Sequence, residues 1–150
     1  MKNYQEEYKR YTAAEKKVNE LYHRIAMQLG ISDSALWTLY CLSDDEDPHT
    51  QNSIAQKMAV PKQTINSAVT KLFRDGYVHL KPIPGAKNNK QILLTEKGSA
   101  FCMSKIVPVV EATERAFNRL SAQEREEYLA IGMKHNQFLL EELCMLIDIK

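Results

Sequence analysis

The fold is decided by the stretch from Thr50 to Val78, which is TQNSIAQKMAVPKQTINSAVTKLFRDGYV. Thr50 can cap a short helix, and that helix must end near Val60 because a residue that precedes proline disfavours helical geometry. Pro61 suits the first turn of a second helix, where its missing N–H is no loss. The stretch therefore predicts two helices that meet across a three-residue turn, the second running from about Pro61 to Arg74.

This second helix has one apolar and one polar face. The apolar residues recur at helical spacing: Ile65, Ala68, Val69, Leu72 and Phe73. The opposite face carries side chains short enough to touch base edges in a major groove: Gln63, Asn66, Ser67 and Thr70. The pattern is typical of a helix that packs on a core with one side and meets a polar ligand with the other.

A β-hairpin is predicted directly after the second helix. Gly76 supplies the helix stop, and Tyr77 to Lys81 has the alternating pattern of a strand. Pro82 to Asn89 is rich in proline, glycine and asparagine, as turns are, and Gln91 to Leu94 has the composition of the returning strand. A helix-turn-helix followed by a hairpin, or wing, favours a winged-helix DNA-binding fold.

The distribution of charge supports that interpretation, although the chain as a whole has a net charge of only +1. The segment from Pro61 to Lys90 contains six basic residues and one acid, Asp75. Its net charge is therefore +5, which leaves −4 for the rest of the chain. Positive charge confined to one segment is typical of an element that faces a polyanion.

Long amphipathic helices flank this central lobe. The first is predicted from about Tyr4 to Leu29, another begins after Thr95 and is bent by Pro108, and the last begins at the capping box of Ser121 and Glu124. Such extended apolar stripes require a second subunit or a monomeric helical bundle to cover them. The fold class is mainly α (α+β): one domain, 1–150, with a winged helix-turn-helix lobe at 32–95 and a helical dimerisation region at 1–31 and 96–150.

Several other classes of protein are disfavoured by the sequence. It contains neither a signal peptide nor an apolar run of membrane-spanning length, and its three cysteines are predicted to be buried, reduced thiols, as expected for a cytoplasmic protein. The four histidines lack metal-ligand spacing, and no nucleophile, base or phosphate-loop motif is present. We expect no enzymatic activity, no metal and no cofactor.

The chain resembles the MarR-type winged-helix regulators through the stretch from Thr50 to Val78 and through KQILLTEKG at Lys90 to Gly98. The resemblance extends over the order of elements along the whole chain. It implies a homodimer joined by the first and last helices, a pseudopalindromic double-stranded operator, and a small-molecule pocket between the dimer region and the DNA-binding lobe. Members typically carry an Asp-Arg pair at the wing tip, where this chain has Ala86 and Lys87, so the wing is expected to contact phosphate through lysine charge.

The predicted site residues form two groups. The DNA-contacting residues lie on the second helix and the wing: Lys62, Gln63, Thr64, Asn66, Ser67, Thr70, Lys71, Arg74, Lys87, Asn88 and Lys90. A pocket for a small aromatic or phenolic effector could be lined by aromatic residues and a histidine: Tyr11, Tyr22, His23, Trp37 and Tyr40. The alternative for the second group is ordinary core packing, which is common for aromatic residues at helical spacing.

The predicted function is sequence-specific DNA binding by a homodimeric transcriptional repressor that a small-molecule effector releases from its operator. A different class of function stays open at this point. The same fold could be a protein–protein interaction module whose polar helix binds a partner protein and no DNA.

Overall fold

The structure is a computed structural model that describes residues 3–44 and 48–147. Residues 1, 2, 45–47 and 148–150, which the predicted domain ranges include, lie outside the described residues. The helices and strands follow one another in the order expected for a winged helix. The elements are α1 (Asn3–Gln28), α2 (Asp33–Asp44), β1 (His49–Thr50), α3 (Gln51–Met58), α4 (Lys62–Arg74), β2 (Val78–Pro82), β3 (Lys90–Leu94), α5 (Glu96–Phe101), α6 (Val107–Asn118) and α7 (Ala122–Cys144).

The chain forms two compact units, Met1–Val110 and Glu111–Lys150. The first unit holds the central core, in which α2 packs against α4 and the sheet closes one side. Its largest fully buried aliphatic side chains come from α2, α3, α4, both long strands and the segment after α5: Leu36, Leu39, Ile54, Ile65, Val69, Leu72, Val78, Ile92 and Ile106. The predicted mainly α (α+β) fold class is confirmed.

The helix-turn-helix begins with a capping box. The Thr50 hydroxyl accepts a hydrogen bond from the Ser53 backbone N–H at 3.1 Å, and the Ser53 hydroxyl accepts one from the Thr50 N–H at 2.8 Å. The three-residue turn then passes through Ala59, whose φ of 50° is left-handed. Pro61 precedes α4 with extended geometry, so the helix starts at Lys62 and the predicted start at Pro61 was one residue early.

The apolar face predicted for α4 is wrong at one position. Ile65, Ala68, Val69 and Leu72 are buried, whereas Phe73 is 54% exposed. An α-helix turns by about 100° per residue, so Phe73 lies just outside the arc that the four buried residues share.

The sheet has three strands in the order β1-β3-β2, and both pairings are antiparallel. Strands β2 and β3 form the predicted hairpin, with Val78 opposite Leu94 and Pro82 opposite Lys90. Strand β1 was not predicted from the sequence. It is only two residues long and pairs through Thr50 opposite Gln91, a contact between segments about 40 residues apart that local patterns do not encode.

The segment LTEKG joins the end of the hairpin to the start of β2. The Thr95 hydroxyl donates a hydrogen bond to the Gly76 carbonyl at 2.6 Å, and the Thr95 N–H donates to the Tyr77 carbonyl at 3.0 Å. Gly98 lies so close to the same strand that a Cβ on it would stand 1.8 Å from the Tyr77 carbonyl oxygen. Lys97 donates to the Asp75 carbonyl at 2.6 Å and lies over the Tyr77 ring. This cluster fixes the hairpin against the end of α4.

The long helix predicted after Thr95 is interrupted by a π-helical turn at Cys102–Ile106 before it continues as α6. Pro108 lies two residues after that turn, and because proline has no N–H, the helix cannot keep its regular hydrogen bonds there. The Val107 N–H instead reaches back five residues to the Cys102 carbonyl.

The Glu111–Lys150 unit contains the remainder of α6 and all of α7. The predicted capping box is confirmed: the Ser121 hydroxyl accepts from the Glu124 N–H, and the Glu124 carboxylate accepts from the Ser121 N–H at 2.7 Å. The bond from the Ser121 N–H to the carboxylate, together with one from the Ser121 side chain, holds the pKa of Glu124 below its usual value. Helix α7 buries none of its residues within the chain.

The prediction for the cysteines is confirmed at two positions and wrong at one. Cys41 and Cys102 are buried in the core, and burial raises the pKa of the Cys102 thiol. Cys144 is exposed. It ends α7, whose apolar side chains are not covered within a single chain, so an apolar pattern there does not imply burial.

Candidate nucleic-acid interface

Helix α4 turns its polar face to solvent because its apolar face is held in the core. Lys62, Asn66 and Thr70 lie at intervals of four residues and therefore form one stripe along the exposed side. All eleven side chains predicted to contact DNA are exposed. The burial of α4 on one side and the exposure of these residues on the other follow from the same helical repeat.

A groove of about 380 Å³ separates this stripe from the wing. Six of its lining residues were predicted as DNA contacts: Lys62, Asn66, Thr70, Lys87, Asn88 and Lys90. Three further lining residues were not predicted: Gln51, Leu80 and Asn89. Gln51 belongs to α3, and only the pairing of β1 with β3 could have indicated its place beside the wing.

Among the residues that the structure describes, the groove is lined by three lysines and by no carboxylate. Its remaining polar groups are hydroxyl and amide groups, which can donate hydrogen bonds to anionic oxygens. In a site without acidic residues, the lysine charges add to a positive potential that attracts polyanions.

An acidic residue follows directly after the last residue of α4. Asp75 accepts a hydrogen bond from the Lys71 ammonium at 2.9 Å. That hydrogen bond holds the pKa of Asp75 below its usual value. Lys71, although predicted to contact DNA, is therefore already paired within the chain.

The other predicted residues on α4 lie outside the groove lining. Gln63, Thr64 and Arg74 are exposed on the helix surface. The Ser67 hydroxyl donates to the Gln63 carbonyl at 3.0 Å, one turn back along the helix. These side chains are accessible to a ligand that covers the whole exposed face of α4.

The wing tip is a compact turn. The Ala86 N–H donates to the Ile83 carbonyl at 3.1 Å, and the Ile83 N–H donates to the Asn89 carbonyl at 3.4 Å. Gly85 adopts a φ of 81°, which favours glycine at that position of the turn. Lys87 and Asn88 follow on the exposed tip.

Of the five residues predicted for an effector pocket, three form an aromatic cluster and the other two each contact a carboxylate. The Tyr22 and Trp37 ring centroids lie 4.8 Å apart, and those of Trp37 and Tyr40 lie 5.6 Å apart, which joins α1 to α2. Burial, with Tyr40 nearby, raises the pKa of Tyr22. His23 Nδ1 lies 2.9 Å from the Asp33 carboxylate, while Tyr11, three turns earlier on α1, donates to Glu15 at 2.6 Å. The structure thus brings Tyr22, Trp37 and Tyr40 into one cluster.

Part of the sequence matches a protein-family model. Residues 33–86 match the model described as iron dependent repressor, N-terminal DNA binding domain. This range covers α2 through the wing tip. No curated protein matches the chain.

Comparison with solved structures identifies the fold. A MarR family regulator from Neisseria meningitidis superposes with a TM-score of 0.75 at 16% identity, covering 93% of this chain and 97% of the other. The chain has the fold of the MarR family. The DNA complex of Staphylococcus aureus MepR superposes with a TM-score of 0.70 at 21% identity over 86% of this chain and 94% of that one. Staphylococcus aureus MarR in complex with salicylate and kanamycin gives 0.68 at 18% identity over 92% and 93%. The predicted MarR-type winged helix is confirmed as a fold.

The matched family model is described as that of an iron dependent repressor. Among the described residues, no three side chains of His, Cys, Asp or Glu come together in a group that could hold a metal ion. The family match is a likeness of residues 33–86 alone. Within the same ranges, no helix combines the length and apolar character needed to cross a bilayer.

Proposed function

We propose that this protein is a cytoplasmic, homodimeric transcriptional repressor of the MarR family that binds a double-stranded operator and acts by binding rather than by catalysis. The observation that carries the proposal is the groove between α4 and the wing. It joins the exposed Lys62–Asn66–Thr70 stripe to the lysines of the wing, and within the described part of the chain no acid lines it. The match of residues 33–86 to a repressor DNA-binding domain and the MepR–DNA complex of the same fold support it.

The proposed homodimer rests on apolar surface that a single chain leaves exposed. Helix α1 exposes Val18 and Leu21 by 51% and 55%, and α7 exposes Ile131 and Leu140 by 69% and 62%. A protein rarely leaves large contiguous apolar patches in water, and two copies related by a twofold axis are the simplest way to cover them. Light scattering should give the mass of a dimer, and Leu140→Glu should shift it towards a monomer. A wild-type monomer at micromolar concentration would contradict the proposal.

The test of DNA binding is its dependence on salt. Three lysines line the groove in each subunit, so a dimer would neutralise about six phosphates and give a slope of log affinity against log salt of roughly −5. The ligand would be a duplex selected from a random pool. Lys90→Gln should reduce the slope to about −3.6, because two charges are lost per dimer. The matched control is Lys105→Gln, because Lys105 is exposed and lies outside the groove lining. This variant should leave the slope unchanged.

Sequence preference is the second part of the same test. Lys62→Gln should weaken binding to every duplex similarly, since a phosphate contact carries no sequence information. Asn66→Ala should relax the preference at one base pair, because an amide can pair with adenine in the major groove. Identical profiles for the two variants would refute these roles. A protein–protein interaction module would instead show a flat response to salt and no retention on mixed DNA.

Release by an effector is proposed from the aromatic cluster of Tyr22, Trp37 and Tyr40, with His23 and Tyr11 on the same helix. Aromatic rings with phenolic hydroxyls can stack on and hydrogen-bond a small phenolic ligand. The salicylate complex of Staphylococcus aureus MarR supports this class of ligand.

Trp37 is the single tryptophan of the chain, so its fluorescence reports directly on the cluster. Salicylate should change the emission and reduce DNA affinity, whereas cyclohexanecarboxylate, with the same charge and no aromatic ring, should do neither. Equal effects of both acids would contradict a specific aromatic site.

A further inference from the structure

The groove beside α4 has a third wall, which comes from the first residue of α3. Thr50 pairs with Gln91 in the β1–β3 ladder. Because the pairing is antiparallel, the next residue, Gln51, is placed beside Lys90 at the edge of the wing. The capping box of Thr50 and Ser53 fixes the start of α3. Gln51 is therefore held in the groove lining by both the sheet and the helix cap.

Asn89 supplies a second amide from the wing itself. Its backbone carbonyl accepts the hydrogen bond from the Ile83 N–H across the wing loop. Its side chain is half-buried and lines the groove next to Lys90. Both amides thus lie on backbone that is already fixed, which reduces the entropy that a contact with a ligand would cost.

The position of the groove in the fold determines which part of a DNA duplex it can meet. A recognition helix such as α4 enters the major groove, and a wing reaches the adjacent backbone or minor groove. The sugar-phosphate backbone of one strand is what separates these two grooves. A strand that passes between α4 and the wing therefore presents phosphates, not base edges, to Gln51 and to the wing residues of the groove, whereas Asn66 lies on the side of α4 that enters the major groove.

We infer that this groove seats the backbone phosphates of one DNA strand, and that Gln51 and Asn89 donate hydrogen bonds to those phosphates beside Lys62, Lys87 and Lys90. The inference rests on the proposed function and adds two contact residues and a third element, α3, to it. The two amides make the site directional, because an amide N–H must point at an oxygen whereas a lysine acts as a point charge.

The experiment compares Gln51→Ala and Asn89→Ala with substitutions of the same residue types outside the groove lining. Gln56 on α3 and Asn118 on α6 are exposed and serve as these controls. Binding is measured with a duplex selected from a random pool and with an unrelated duplex of the same length. Each groove variant should weaken binding to both duplexes by a similar factor, roughly three- to tenfold, while the controls stay within about twofold of wild type.

A second measurement identifies the partner group. Single neutral methylphosphonates are placed at successive phosphates of the selected duplex. At one phosphate in each half-site, the modification and Gln51→Ala should not be additive, since both remove the same hydrogen bond. Thermal melting of each variant checks that the fold is retained.

The outcomes separate this inference from the proposed function. Loss of binding on the selected duplex alone would indicate base reading by Gln51 and would overturn the inference, as would additivity at every phosphate. Wild-type affinity in both groove variants would overturn it too, while salt-sensitive binding by the wild type would leave the proposed function intact. A wild-type protein that binds neither duplex would refute both.

Discussion

Replacing Gly98 with alanine should destabilise the protein, although Gly98 is in a helix and alanine is the better helix former. An added Cβ would stand 1.8 Å from the Tyr77 carbonyl oxygen and 2.8 Å from the Tyr77 carbonyl carbon. Both neighbours are backbone atoms, so neither can move aside as the end of a side chain could. Helix α5 and the start of β2 would have to separate by at least about 1.6 Å to reach ordinary van der Waals contact.

That separation would lengthen and weaken the hydrogen bonds that join the two segments. The Thr95 N–H bond to the Tyr77 carbonyl and the Thr95 hydroxyl bond to the Gly76 carbonyl are 3.0 and 2.6 Å long. Overpacking typically destabilises by 1–3 kcal/mol and a lost buried hydrogen bond by about as much again, so we expect a decrease of about 3 kcal/mol in the free energy of unfolding. For a chain of this size the Tm should fall by roughly 6–12 °C.

The assay is thermal unfolding by circular dichroism at one fixed protein concentration. Ser99→Ala is the matched control, because Ser99 is the next residue of α5, is exposed, and should unfold at or slightly above the wild-type temperature. A Gly98→Ala variant that melts as high as Ser99→Ala would show that the close approach between Gly98 and Tyr77 does not constrain the fold.

Three further tests, which use four substitutions, address other parts of the structure. Leu72→Ala should lower the free energy of unfolding by about 2–5 kcal/mol, because Leu72 is buried. Alanine at its exposed neighbour Phe73 should change that free energy by less than about 0.5 kcal/mol. Chemical denaturation compares the two variants, and equal losses would contradict the burial assigned to the two residues. Thr50→Ala removes the cap of α3 and should cost about 1 kcal/mol in the same assay, so an unchanged midpoint would refute the capping role. Asp75→Asn removes the carboxylate that pairs with Lys71, so DNA affinity should rise and its salt slope should steepen by about two per dimer; an unchanged slope would mean that Lys71 does not reach phosphate.

Much of the fold could be predicted because its signals are local. Caps such as Thr50 and Ser121, the helix stop at Gly76 and the helical repeat of Ile65, Val69 and Leu72 each involve residues within a few positions of one another. The predicted order of helices, turn and hairpin is therefore confirmed. The helix start at Pro61 was wrong by one residue because proline suits both the position before a helix and its first turn.

Much of the candidate interface followed from the same local patterns. Six of the nine residues that line the groove were predicted from the exposed face of α4 and the basic wing. The positions of the three lining residues that were not predicted depend on how separate elements of the fold pack together. Gln51 depends on strand β1, Leu80 faces the groove from within β2, and Asn89 has the composition of an ordinary loop residue.

The sequence alone determined which segments are helical or extended and which side of α4 is polar, because those properties depend on torsional preferences and on periodic burial over a few residues. Only the tertiary structure decided that α3 meets the wing, that Phe73 faces solvent and that position 98 has no room for a Cβ. Those features arise where segments far apart in the chain touch, and a contact of that kind depends on the geometry of both partners at once.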